Sequence, residues 1–454
     1  MWHLVPKPTT AIPRQPGTGQ TDVRIYGTEN CRGLTYGQRK AMSAQLDTLP
    51  TEIGLQRLGR SRLLGVAMLL WAALAVSVGV KAVIEPVAHT AYPCFETGAR
   101  LWWQGKDVYD PAVCPHDFRY GPVFAVALAP LALLPSTLGG LLWGWLNIGA
   151  FFWSLRALLR QVLPGHWTPR REAIYLVLVL AGSVRMIWSG QSNPLIFALV
   201  AGAAVSLLNR RWWWAGLLLA IAVHIKVWPL AAALLLTACR PRQLGWRFAV
   251  SLAVVGTMPF LTGPPAWVCR QYYGWYLALI GPAQIRHIYR DAWTIWELIH
   301  SPVSPQGYLA LQLTMAAVVL TLCLWQRRRA ATDGRLLTFV LAIWAAWQLL
   351  FGPGTERNTF GLIAPLSAWA VLTCLEEKRG RVVMGAAFVL ITASSFGMVE
   401  RGLMDFFPAI LAAHPLGVLL FATWLLGWTR ISSGLARQTR HTADVAVCRM
   451  ERVE

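Results

Sequence analysis

Lys226 is the residue most able to do chemistry. It sits in His224-Ile225-Lys226-Val227-Trp228-Pro229, inside an otherwise apolar run from 212 to 239. A buried ammonium in an apolar setting is costly, so such a residue is a functional candidate. Pro229 lacks an amide proton and breaks a helix at this point. The run therefore reads as two short helices meeting near Lys226, where the ammonium can hold a phosphate. Arg290 and Asp291 are a second candidate pair, in Arg286-His287-Ile288-Tyr289-Arg290-Asp291-Ala292-Trp293. Neighbours in sequence point apart, so one can bind phosphate while the other orients a partner.

Polar turns supply hydrogen-bonding groups. Ser189-Gly190-Gln191-Ser192-Asn193-Pro194 offers Gln191 and Asn193 to a sugar or phosphate, although Asn193 followed by Pro194 also suits the start of a helix. Gly352-Pro353-Gly354-Thr355-Glu356-Arg357-Asn358 is a tight charged turn between apolar runs. A third region, 85 to 120, carries the carboxylates Glu85, Glu96, Asp107, Asp110 and Asp117. As a group they are candidates for the base that deprotonates an acceptor hydroxyl. Cys94 and Cys114 share this loop and could pair in an oxidising compartment.

These turns need a scaffold, and composition supplies it. Of 454 residues, 56% are hydrophobic and only 14% charged, with 24 tryptophans. Soluble domains carry about 25% charged residues. Apolar runs at 63–84, 137–159, 173–188, 194–209, 244–262, 307–326, 335–352, 358–375, 381–398 and 408–428 are of bilayer-crossing length or close to it. The fold class expected is all-α: a polytopic membrane protein of about 10–12 helices, with interfacial helices at 95–104 and 122–135. Residues 1–60 read as a disordered tail, 61–430 as the membrane domain and 431–454 as a second tail. No cleavable signal peptide is visible, and Met42 is an alternative start.

The formal charge of +20 comes from 41 Lys and Arg against 21 Asp and Glu. Such an excess suits nucleic acid, but the hydropathy excludes a soluble DNA-binding protein. With both termini in the cytoplasm, most basic residues fall on that side, as the positive-inside rule requires. The candidate turns then share the outer face. The partners expected are membrane lipids and no nucleic acid. No metal-ligand spacing appears, so no metal site is expected.

Several of these segments, in this order, resemble glycosyltransferase family 87 of the GT-C superfamily. They are Ala99–Tyr109, ending Gly-Lys-Asp-Val-Tyr; Phe118–Pro135, with Tyr-Gly-Pro at its entry; Gly190-Gln191-Ser192-Asn193; the Lys226…Pro229 break; and Gly352–Asn358. The resemblance covers about residues 60–400 and marks a divergent member. It implies a GT-C-like fold in a bacterial plasma membrane and an inverting glycosyltransferase. A mannose-like hexose, or a pentose, would pass from a polyprenyl-phosphate donor to a glycan or glycolipid acceptor outside the cytoplasm. No cofactor is implied; the polyprenyl-phosphate sugar is a substrate. Candidate bases are Glu96, Asp107, Asp291 and Glu85, with Glu356 a further outer-face alternative. Candidate phosphate ligands are Lys226, Arg290, Arg119 and Arg357. Gln191, Asn193, Tyr109, Tyr120 and Glu356 are the candidates for sugar or acceptor. One departure stands out: where the family places an Asp, about 14 residues before the loop glycine Gly105, this chain has Ala91. A flippase of lipid-linked sugars and a non-catalytic assembly subunit are the alternative classes.

Overall fold

Among the described residues, five helices are long and apolar enough to cross a bilayer: Arg62–Ile84, Ser136–Gln161, Pro241–Leu261, Pro305–Arg329 and Asp333–Phe351. They belong to a computed structural model that describes residues 62–88, 90–110, 112, 118–281, 290–299, 304–392 and 412–429. The expected tails, Cys114, Asp117 and residues 286–289 lie outside the described residues. No strand occurs among the described residues. The chain is an all-α polytopic membrane protein.

In chain order the helices are α1 (Arg62–Ile84), α2 (Tyr92–Trp103), α3 (Pro122–Ala127), α4 (Ala129–Ala132), α5 (Ser136–Gln161) and α6 (Pro169–Trp188). There follow α7 (Asn193–Leu208), α8 (Trp212–Ile225), α9 (Pro229–Cys239), α10 (Trp246–Thr257), α11 (Pro265–Ile280) and α12 (Ala292–Leu298). The last are α13 (Pro305–Arg329), α14 (Asp333–Phe351), α15 (Ala364–Glu377) and α16 (Arg381–Thr392), then α17 (Ala413–Thr429). A π-helical turn, Pro241–Gly245, leads into α10, and a 3₁₀ stretch, Met258–Leu261, continues it. The helix expected at 95–104 forms as α2, starting at Tyr92, with Tyr92, Phe95 and Trp102 buried in the protein, and Gly105 ends it with a positive φ of 68°; the segment expected at 122–135 forms the short pair α3 and α4.

Burial separates core helices from lipid-facing ones. In α14, 83% of the apolar window is buried; in α13 it is 17% and in α1 28%. Leu69, Val76, Val83 and Ile84 of α1 and Leu313 of α13 stay exposed. Such uncovered apolar surface suits hydrocarbon, which carries no penalty for it. The sequence span at 358–375 is interrupted: Arg357–Leu362 is 3₁₀, and Pro365 opens α15. A proline at the first turn sacrifices an amide that has no helical partner anyway.

Antiparallel neighbours put two kinds of surface at opposite helix ends. The end holding the α7–α8, α9–α10, α13–α14 and α5–α6 links is basic. Its arginines are clamped by few acids: Arg156 and Arg160 on Glu172 at 2.8 and 3.6 Å, Arg171 on Glu376 at 2.6 Å, and Arg240 on Asp333. The other end holds the α6–α7 turn, the α8–α9 break, the α14–3₁₀ turn and the start of α13. All the polar turns singled out in the sequence converge at this second end.

Candidate active site

The site starts from the helix break. Lys226 is extended, with φ −139° and ψ 147°, and Pro229 begins α9. The break frees the carbonyls of His224 and Ile225, which the Tyr120-Gly121-Pro122 segment covers. The Gly121 amide donates to the Ile225 carbonyl at 3.4 Å. A Cβ on Gly121 would stand 2.3 Å from the His224 oxygen, so glycine is required here by close approach. The same docking slides the Tyr120 ring beneath the ammonium. Lys226 Nζ lies 4.9 Å from its centroid, within cation–π range.

The α6–α7 turn brings the amides. Gly190 has φ 62°, the left-handed conformation that closes α6. Its carbonyl accepts from Trp143 Nε1 at 2.7 Å, and the Ser189 carbonyl accepts from the Ala91 amide at 2.9 Å. With the turn fixed, Lys226 Nζ reaches Asn193 Oδ1 at 3.4 Å and Gln191 Oε1 at 3.5 Å. Asn193 Nδ2 donates to Gln191 Oε1 at 3.1 Å. The other end of the Gln191 amide donates from Nε2 to Glu356 Oε2 at 3.2 Å.

The third wall is the 352–358 turn. Gly354 has φ 67°, and Thr355 Oγ1 donates to the Gln348 carbonyl at 3.0 Å. Arg185 Nε donates to Asn358 Oδ1 at 3.0 Å, tying α6 to the turn. The Arg290 amide donates to the Thr355 carbonyl at 2.8 Å. Arg290 and Asp291, each 5% exposed, thereby abut the same turn. Asp291 also caps α12 by accepting from the Trp293 amide at 3.1 Å. Arg357 opens the 3₁₀ stretch beside Glu356 and is half-buried.

Electrostatically Lys226 faces Glu356 across the Gln191 amide, and Arg290 and Asp291 add one charge of each sign at the same turn. Lys226 lies in the break, outside both helices. Burial lowers its pKa, while the Glu356 charge, and to a lesser degree Cys94, oppose that shift. Neither residue neutralises the other directly: among the described ion pairs none joins Lys226 to Glu356. No set of His, Cys, Asp and Glu among the described residues is grouped to hold a metal ion.

The remaining sequence candidates lie elsewhere. Tyr109 donates from its hydroxyl to the Tyr120 carbonyl at 2.7 Å, and the Arg119 carbonyl accepts from Trp275 Nε1 at 3.2 Å. Both brace the segment under Lys226. Asp107 is exposed and accepts from the Tyr109 amide at 3.0 Å, closing its own turn. Glu96 is 7% exposed but occupied: Oε1 accepts from Ser136 at 2.7 Å and pairs with Arg100 at 2.6 Å. Arg100 in turn donates to the Ala132 carbonyl at 3.1 Å, so this pair fastens α2 to the end of α4. Glu85 is exposed beyond α1, where its charge acts on Lys81.

Some positioning residues carried no sequence signal strong enough to single them out. Trp143 and Lys81 both hold the α6 end, Trp143 through the Gly190 carbonyl and Lys81 Nζ by donating to the Trp188 carbonyl at 2.8 Å. Gln271, 1% exposed, accepts from the Val108 amide at 3.0 Å and locks the first loop to α11. Each depends on a contact between distant segments.

Residues 118–353 match the model of glycosyltransferase family 87. The chain belongs to this family. The match takes in Tyr120, Gly121, Gln191, Asn193 and Lys226; Glu96, Asp107 and Glu356 fall outside it.

Among curated proteins, the chain is 26% identical over 290 residues to the polyprenol-phosphate-mannose-dependent alpha-(1-2)-phosphatidylinositol pentamannoside mannosyltransferase of Mycobacterium tuberculosis. The alignment covers 61% of this chain and 64% of that protein. The protein of the same name from Mycolicibacterium smegmatis is 27% identical over 289 residues, covering 61% and 67%. GPI mannosyltransferase 1 of Trypanosoma brucei brucei is 26% identical over 207 residues, covering 43% and 46%.

Proposed function

We propose that this chain is a membrane mannosyltransferase. It takes a mannose-like sugar from a polyprenyl-phosphate donor and passes it to a glycolipid or glycan acceptor. Family membership and the activities named for the relatives support this reading. The observation that carries it is the buried Lys226 ammonium, held by two amide oxygens and a tyrosine face.

In this reading Lys226 binds the donor phosphate, with Arg290 and Arg357 as the further cations beside it. Gln191 and Asn193 reorient their amides onto phosphate or sugar when the donor enters. The acceptor oxygen attacks the sugar's anomeric carbon as the bond to the phosphate oxygen breaks. The acceptor proton passes to a carboxylate, and the bonding electrons stay on the phosphate, where the ammonium stabilises them. Direct displacement inverts the anomeric centre.

Glu356 is our choice for the base. It is the carboxylate that Gln191 ties to the lysine. The family's usual Asp position, Ala91 here, packs against Ser189 at the same turn. Glu356 thus reaches from the opposite wall the cluster that a carboxylate at 91 would adjoin. The membrane is proposed to be a bacterial plasma membrane. The basic helix ends and the termini face the cytoplasm, and the site faces outward.

The test uses membranes containing the full chain and a radiolabelled polyprenyl-phosphate mannose. Label should move to a lipid or glycan product in wild type and not in Lys226→Ala. Transfer at the wild-type rate by Lys226→Ala would overturn the reading.

A further inference from the structure

The helix ends opposite Lys226 carry a second polar feature that sugar transfer does not use. Trp213 of α8 and Trp246 of α10 meet edge to face, with centroids 4.9 Å apart and planes at 85°. The Arg247 guanidinium lies over both rings, 4.5 Å from Trp246 and 5.8 Å from Trp213. Its position is set by close helix packing. A Cβ on Gly216 would stand 3.1 Å from the Arg247 backbone, so α8 and α10 touch there without a side chain between them.

Arg247 is only partly satisfied. One terminal nitrogen donates to the Gln243 carbonyl at 2.5 Å. Its Nε is buried and has no hydrogen-bond partner among the described residues. A guanidinium carries five donors and a full positive charge, and the terminal donors beyond the one bond to Gln243 can take an anionic oxygen. Exposed Arg210 and Arg211 precede α8, and exposed Arg242 lies in the π-helical turn that leads into α10. Around them three tryptophans are open: Trp213 at 48%, Trp214 at 59% and Trp246 at 51% exposure.

Exposed indoles beside arginines, at the ends of membrane helices, mark the headgroup level of a bilayer. The rings lie against acyl carbon and the guanidinium reaches the phosphate layer. From these we infer a binding site for one anionic phospholipid between α8 and α10. Its phosphodiester sits on Arg247 and the arginines of the α7–α8 turn, and its glycerol region lies on Trp213 and Trp246. The α8 N-terminus adds weakly favourable amides. Charge complementarity selects a lipid with net negative charge over a zwitterionic one. The site is separated from Lys226 by the length of α8, 14 residues or about 21 Å at 1.5 Å per residue.

The experiment is native mass spectrometry of the full chain, purified in detergent and titrated with phosphatidylglycerol or phosphatidylcholine of matched acyl chains. Wild type should retain one phosphatidylglycerol about tenfold more tightly than phosphatidylcholine, and Arg247→Gln should erase most of that preference. Arg211→Gln, at an exposed position that folding does not need, should reduce it by about threefold. Circular dichroism establishes that each variant is folded; if Arg247→Gln is not, Arg211→Gln with Trp213→Leu decides. Equal retention of the two lipids by wild type, or unchanged preference in the folded variants, overturns the site. Displacement of bound phosphatidylglycerol by millimolar inorganic phosphate would also overturn it, by assigning the arginines to a soluble anion.

Discussion

Lys226 and Glu356 are held apart by a single side chain. The Gln191 amide accepts from the lysine at 3.5 Å through Oε1 and donates to the glutamate at 3.2 Å through Nε2. A direct ion pair would neutralise both groups and close the space between them. The amide spacer keeps a cation on one side and a carboxylate on the other, with a removable hydrogen-bond donor and acceptor between. That is the separation of roles a displacement at a sugar carbon requires: charge stabilisation at the leaving phosphate and proton acceptance at the acceptor.

Glu356→Gln should keep the hydrogen bond to Gln191 after an amide flip and lose the base. The expected effect is a fall in kcat of about 10²–10⁴-fold with donor affinity retained. Radiolabel transfer at saturating donor, compared with donor binding, separates the two. A wild-type kcat would remove Glu356 from the chemistry.

Ala91→Asp tests the same idea by gain of function. Ala91 is the N-cap residue of α2 and supplies no side-chain cap, and Asp is well tolerated at such positions. Introduced into Glu356→Gln, it should restore part of the lost transfer. No recovery in a stably inserted double variant would show that the base is not interchangeable between the two walls.

Glu96→Gln should behave as a stability variant. It weakens the contact of the buried Glu96 carboxylate with the half-exposed Arg100 and the link from α2 to α4, at a cost of about 1 kcal/mol. The melting temperature should drop while kcat of the surviving protein stays within a few-fold of wild type. A kcat loss as deep as that of Glu356→Gln, with unchanged melting, would move the base to Glu96.

The pH dependence has a definite sign. Burial lowers the pKa of Lys226, and only the charged form attracts the donor phosphate. kcat/KM should therefore be lost as pH rises through this lowered value, earlier than for an ordinary lysine near about 10.4. Lys226→Arg keeps its charge at all accessible pH values, so whatever activity it retains should not show that alkaline fall. A wild-type profile flat to pH 10 would contradict the assignment.

The parts of this account legible in the sequence are those governed by short range. The Lys226 break followed from Pro229, and the polar turns followed from Gly190 and from Gly352 through Asn358. α2 followed from its amphipathic run and Gly105. The structural employment of two carboxylates was also written locally: Glu96 and Arg100 stand at i, i+4 on one helix face, and Asp107 precedes Tyr109 as in a side-chain-closed turn. Neither local pattern by itself separates a structural carboxylate from a catalytic base. What sequence could not supply was the convergence. The link from Gln191 to Glu356 joins residues 165 apart. The fit of Gly121 over the His224 carbonyl likewise joins segments far apart in sequence.

The most direct test of the central claim is the donor-dependent transfer rate of Lys226→Met in purified, reconstituted protein. Methionine preserves the packing over Tyr120 while removing the charge. The account predicts normal insertion and melting with kcat/KM for the polyprenyl-phosphate sugar lowered about 10²-fold or more. A correctly folded Lys226→Met protein that transfers sugar as fast as wild type would show that the buried cation serves the scaffold and not the reaction.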